Sequence, residues 1–271
     1  MFHKLLLIIL IIFLNINITS FAQDNIFEKI TFKEPPGKMI NINSHSLHMI
    51  CKGEGEITVI LESGIGANML DWVKIIPEVS RTTKVCAYDR GGYGWSDRGP
   101  KPRLTSVLAE ELNHLLQASN LSPPYIMVGH SFGGLIVQYF ASLYPELIKS
   151  ILLIDSMHPQ QFQLFEKAGI DIPTSPSRGL IYASRDVLTY GFPEHMKDIA
   201  YQLASSDKTR SFMFNELRNL IKSSEEVQTI TLPDLPLTVL VHGNNEWKKI
   251  AKNGTMEKLW IQMQKSFIKD K

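Results

Sequence analysis

The sequence lacks a charge excess of either sign: 28 Lys and Arg stand against 27 Asp and Glu, a net charge of +1 over 271 residues. A nucleic-acid partner normally demands a basic excess or stripe, so none is expected. Cysteine is scarce, with only Cys51 and Cys86, which excludes a disulfide-dense small scaffold. Ligating residues at metal spacing and a nucleotide-binding loop are both missing, so no metal and no cofactor is implied. No charge run, low-complexity tract or internal repeat stands out.

Also missing is an apolar run of the ~20 residues that a membrane-spanning helix needs. Ten apolar residues, 5–14, follow Lys4, and Ser20 and Ala22 then stand at cleavage-like spacing. That pattern is a secretory signal peptide, residues 1–22, cut near Ala22 and leaving no stable membrane anchor. Residues 23–271 then form one domain, exported to a periplasm or the outside. No cysteine follows the cleavage point, so a lipoprotein anchor is not suggested. Export places Cys51 and Cys86 in an oxidising compartment, where two buried thiols and one disulfide are both open readings.

What is present is an alternation of strand and helix patterns. "HSLHMIC", "ITVILES", "TKVCAYD", "PYIMV", "IKSILLID" and "LPLTVLVH" are β-rich runs. "VLAEELNHLLQAS" and "GLIVQYFASLY" carry apolar residues at helical spacing. Apolar strands with helices between them imply an α/β fold with a mostly parallel sheet covered on both faces. Residues 158–232 carry helical patterns without a convincing strand. Too long for a bare connection, this stretch reads as a helical lid over the sheet. Its Phe162, Phe165, Tyr182, Phe192, Phe212 and Phe214 either line an apolar pocket for a small apolar molecule or hold the lid to the core.

The chemistry concentrates in "YIMVGHSFGG", residues 125–134. A Gly-x-Ser-x-Gly pattern between a strand and a helix puts the serine on a sharp turn, with its Oγ above the sheet edge. Gly129 and Gly133 suit positions where a side chain would meet the neighbouring strand or helix. The helix N-terminus then faces Ser131, where developing negative charge is favoured.

Together with "YDRGGYGWSD" and "VILESGIGA", this stretch resembles the α/β-hydrolase fold family, over about residues 31–265. The resemblance implies Ser131 as nucleophile, with the backbone N–H groups of Phe132 and Ile65 as the oxyanion hole. Ser63-Gly64 stands where the family usually has His-Gly; because the donor is backbone, the hole should survive that change. Ser at the elbow argues against relatives that use a carboxylate nucleophile, such as epoxide hydrolases. The resemblance also places the strands of Cys51 and Cys86 side by side, which favours a disulfide contributing about 3–4 kcal/mol in the chain-entropy model. Asp89 and Arg90 begin a loop that is mainly structural in the family.

The acid has two candidates. Glu246 lies three residues after Gly243 in the turn that follows the seventh strand, and Asp155 follows the sixth. Glu246 is slightly favoured by its spacing. The base should be a histidine after an eighth strand, yet residues 254–271 show helical spacing and no histidine. Of the eight histidines, His242 is expected to pack beside Gly243, and His130 to turn away from Ser131. His158, just after the sixth strand, is the one weak substitute. The expectation is a serine hydrolase for small apolar esters or acyl compounds with its last strand and helix missing and its turnover crippled. A non-catalytic binding protein, or an inactive truncated product, is the alternative. "LTVLV" would then be an open sheet edge prone to self-association.

Overall fold

The computed structural model describes residues 27, 30–31, 33–170, 183–243 and 254–268. The expected signal peptide, Glu246 and Tyr182 lie outside the described residues. Seven strands form one sheet: β1 (Lys38–Asn41), β2 (Ser46–Lys52), β3 (Thr58–Glu62), β4 (Lys84–Tyr88), β5 (Tyr125–His130), β6 (Ile148–Ile154) and β7 (Leu237–Leu240). Their order is β1-β2-β4-β3-β5-β6-β7. The pairs β1–β2 and β2–β4 are antiparallel, and every other pair is parallel. This is the mostly parallel sheet the sequence implies, with β7 as its edge among the described residues.

Seven helices matter for the site: α1 (Thr105–Ala118), α2 (Phe132–Leu143), α3 (Gln161–Lys167), α4 (Lys197–Ala204), α5 (Asp207–Arg218), α6 (Leu220–Gln228) and α7 (Thr255–Ser266). Alternate residues of each strand feed two apolar layers. Val59, Leu61, Val85, Ile126, Val128 and Leu152 meet Met69, Leu70 and Ile76 on one face. Ile60, Met127, Ile151 and Leu153 meet Leu112 and Leu115 of α1 and Val137 and Phe140 of α2 on the other. Burial on both faces is why these strands read as continuous apolar runs. It contributes about 1.5–3 kcal/mol for each large side chain removed from water.

β1, "KMIN", gave no strand signal, being an edge strand with mostly exposed residues. Cys51 and Cys86 face each other across β2 and β4 and form a disulfide that closes a separation of 35 residues.

Between β6 and β7 the chain forms α3 to α6, an insertion into the sheet's order. Polar anchors dock it. Glu226 of α6 accepts from Ser106 N at 3.0 Å, supplying a partner to the first turn of α1. Asn215 Oδ1 accepts from Arg103 N at 2.7 Å, and Lys208 Nζ donates to Gly94 O at 3.0 Å. Of its aromatics, Phe165 is buried with Met256, Trp260 and Met263. Phe212 is buried beneath Lys101 and Arg103. Those two fasten the insertion to its neighbours. Among the described residues no helix is long and apolar enough to cross a membrane.

Candidate active site

β5 ends at His130 and α2 begins at Phe132, so a single residue must turn the chain. Ser131 does it at φ 52° and ψ −122°, a conformation that L-residues rarely hold and that costs about 1–3 kcal/mol. The end of β6 and the loop after it hold it there. Ser131 N donates to Ile154 O at 3.1 Å, and Met157 N donates to Ser131 O at 2.9 Å. The turn also brings α2 hard against the end of β3. A Cβ on Gly133 would lie 2.6 Å from both Glu62 O and Ser63 O, so glycine is required.

The loop after β3 comes equally close. A Cβ at Gly64 would stand 3.2 Å from Ser131 Cβ, which sets the Ser63–Ile65 segment beside Ser131. Ser63 is buried, its hydroxyl accepting from Trp72 Nε1 at 2.7 Å. Among the described residues no acceptor meets the N–H of Ile65 or of Phe132. The Ser131 hydroxyl likewise has no hydrogen-bond partner among them. A half-buried hydroxyl at a helix N-terminus, with two free N–H groups nearby, is the arrangement in which an oxyanion is stabilised.

Asp155 follows β6 at φ 38° and does not join Ser131. Its Oδ1 lies 2.8 Å from His242 Nδ1, and it accepts from His242 N and from Trp260 Nε1, each at 3.1 Å. His242 Nε2 stands 3.1 Å from Glu257 Oε1 of α7. The packing role expected of His242 therefore needs correction: it is the polar partner of one candidate acid. The parallel register Ile154↔Leu240 puts the residues after β6 and β7 at one level, which is how Asp155 and His242 meet. His158 is engaged elsewhere, with Gln160 N on Nδ1, Ser266 Oγ 3.1 Å from Nε2 and the Phe267 ring 4.8 Å away. The structure brings neither His158 nor His242 into hydrogen-bond contact with Ser131.

Beneath the loop after β3 lies a buried charged cluster that sequence reasoning passed over. Arg90, after β4, donates to Glu62 Oε1 and Ser63 O at 2.6 Å each, and to Gly64 O at 2.8 Å. Its other edge meets Glu216 of α5, Nε at 3.1 Å and Nη2 at 3.0 Å. Tyr93 donates to Glu216 at 2.8 Å, and Tyr88 donates to Glu62. Burial alone would lower the Arg90 pKa, but Glu216 and Glu62 outweigh it and hold the guanidinium charged, well above its ordinary value. Burial raises the Glu62 carboxyl, with Arg90 and Tyr88 opposing. Among the described residues no cluster could hold a metal ion.

Residues 57–184 match the family model described as alpha/beta hydrolase fold. ALR0039 from Nostoc sp PCC 7120 superposes with a TM-score of 0.67 at 16% identity, covering 87% of this chain and 88% of that one. The fold is that of the α/β hydrolases. A serine hydrolase involved in carbazole degradation superposes with a TM-score of 0.54 at 14% identity, over 83% of this chain and 98% of that one. The uncharacterized protein YbdG of Bacillus subtilis is 25% identical over 164 residues, 60% of this chain. The chain spans about half the length of such curated relatives, 50% of YbdG.

Proposed function

We propose that this chain is a serine hydrolase of the α/β-hydrolase family, acting slowly on small apolar esters or related acyl compounds. The observation that carries the reading is the strained Ser131 turn beside two N–H groups that meet no acceptor among the described residues. Ser131 Oγ attacks the acyl carbonyl carbon, its proton passing to solvent or an acceptor and the negative charge forming on the carbonyl oxygen. Ile65 N–H and Phe132 N–H receive that charge, the alcohol departs with a proton, and water releases the acyl group from Ser131. Each such donor is worth about 3–4 kcal/mol where it has been tested. No described histidine meets Ser131 Oγ, so the reading assigns this chain only the residual catalysis of hole and binding, about 10³–10⁴-fold over water. The helical insertion acts as the lid that selects apolar substrates, and residues 1–22 direct export.

A second reading, a non-catalytic binding protein, is favoured by one observation. His242 is taken up between Asp155 and Glu257 rather than presented to Ser131. Hydrolysis of p-nitrophenyl butyrate by the purified chain separates the two. The hydrolase reading expects slow turnover above background that disappears in Ser131→Ala. A folded protein whose turnover is identical in wild type and Ser131→Ala supports the binding reading instead.

A further inference from the structure

We infer that Arg90 is a positioning residue that aims the Ile65 N–H at the oxyanion, and that Glu216 of the insertion makes this aim depend on a docked insertion. The inference rests on the serine-hydrolase reading for its catalytic consequence, but its geometry stands apart from turnover. Gly64 O and Ile65 N belong to one peptide unit. In a planar trans peptide the C=O and N–H point in opposite directions. Arg90 Nη2 holds Gly64 O at 2.8 Å while Nη1 holds Ser63 O at 2.6 Å. Two consecutive carbonyls are thus drawn down into the buried cluster, and the Ile65 N–H is turned the other way. Among the described residues the one backbone bond on Gly64 O is a long one from Ala67 N at 3.4 Å, so the guanidinium supplies most of the restraint. A cation on the carbonyl also polarises the peptide and strengthens its N–H as a donor.

Arg90 is in turn held by a residue 126 positions away. Glu216 grips it by two donors on one edge, and Tyr93 fixes the same carboxylate. Tyr93 OH further accepts from Gly66 N at 3.4 Å, tying the next turn of the loop to the same carboxylate. Arginine suits this place because its planar fork serves two carbonyls and two carboxylates at once. Lysine, a point charge with three donors, does not.

The experiment uses three variants of the full chain: Arg90→Lys, Arg90→Met and Glu216→Gln. Three readings are taken on each: thermal melting, kcat and KM for p-nitrophenyl butyrate, and the amide proton resonance and exchange rate of Ile65. Arg90→Lys and Arg90→Met should lower kcat by about tenfold or more, as loss of an aimed oxyanion donor does. KM should stay within about twofold, because apolar binding is untouched. The Ile65 amide resonance should move and its exchange quicken. Glu216→Gln keeps the side-chain shape and one acceptor oxygen, leaves Glu62 to balance Arg90, and its melting curve shows whether it is folded. It should move the Ile65 amide in the same direction and by less. A folded Arg90→Met or Glu216→Gln protein with an unmoved Ile65 amide overturns the inference. If wild type shows no turnover that depends on Ser131, the hydrolase reading fails by itself, and the amide measurements still decide the role of Arg90.

Discussion

Ser131 combines two demands that ordinarily conflict. The proposed chemistry needs a side chain there, yet φ 52° is backbone territory that favours glycine. The strain persists because the end of β6 and the loop after it fix the turn, through Ile154 O and Met157 N. Removing the side chain altogether should therefore release energy. Ser131→Gly is expected to be more stable than Ser131→Ala by about 1 kcal/mol, after the entropy that glycine loses on folding is subtracted. For a domain of this size that is about 2–4 °C in Tm. Equal melting temperatures would mean the turn stores no strain. The same residue was the most legible feature of the sequence, because strand, Gly-His-Ser-Phe-Gly and helix are contiguous and the turn is decided locally. Its partners are another matter. His242 meets Asp155 from 87 positions away, and neither residue carries a local mark of the other.

At the scale of elements, buried ion pairs tie the β4 loop to the helices. Arg103 donates to both oxygens of Glu111 on α1 at 2.8 Å each, and Gly91 N adds a bond at 2.9 Å. Burial alone would raise the Glu111 carboxyl; the Arg103 fork, with His45 and Gly91 N–H, outweighs it and holds the pKa at about 2. A carboxyl depressed in the folded state stabilises above its ordinary value near 4.5 and loses that contribution as pH falls through about 2. Glu111→Gln should thus cost about 3–5 kcal/mol at neutral pH, and the gap to wild type should narrow as the solution is acidified below about 4.5. Urea unfolding at two pH values measures this. A gap that is small at neutral pH, or constant with pH, contradicts it. The elements themselves were largely readable, since strands buried on both faces are continuously apolar and helices keep their spacing. β1 was not, because four mostly exposed edge residues carry no pattern.

Across the whole molecule, the insertion and the sheet share one polar underside. Glu216, Glu226, Asn215 and Lys208 each reach from the insertion to a loop or helix end of the sheet domain. The length and helical spacing of residues 158–232 suggest a lid, but the anchors of this insertion are not legible, because each depends on a contact more than a hundred residues away. Arg90 shows why: a lone arginine after a strand is unremarkable until its acceptors, two of them backbone carbonyls, are seen in space. The account as a whole turns on Ser131 standing ready in an oxyanion hole. Prolonged incubation of the 271-residue chain with a fluorophosphonate, followed by peptide mass analysis, tests that most directly. The account predicts a covalent adduct on Ser131 that forms slowly and is absent from Ser131→Ala; a folded protein that never acquires the adduct would contradict it.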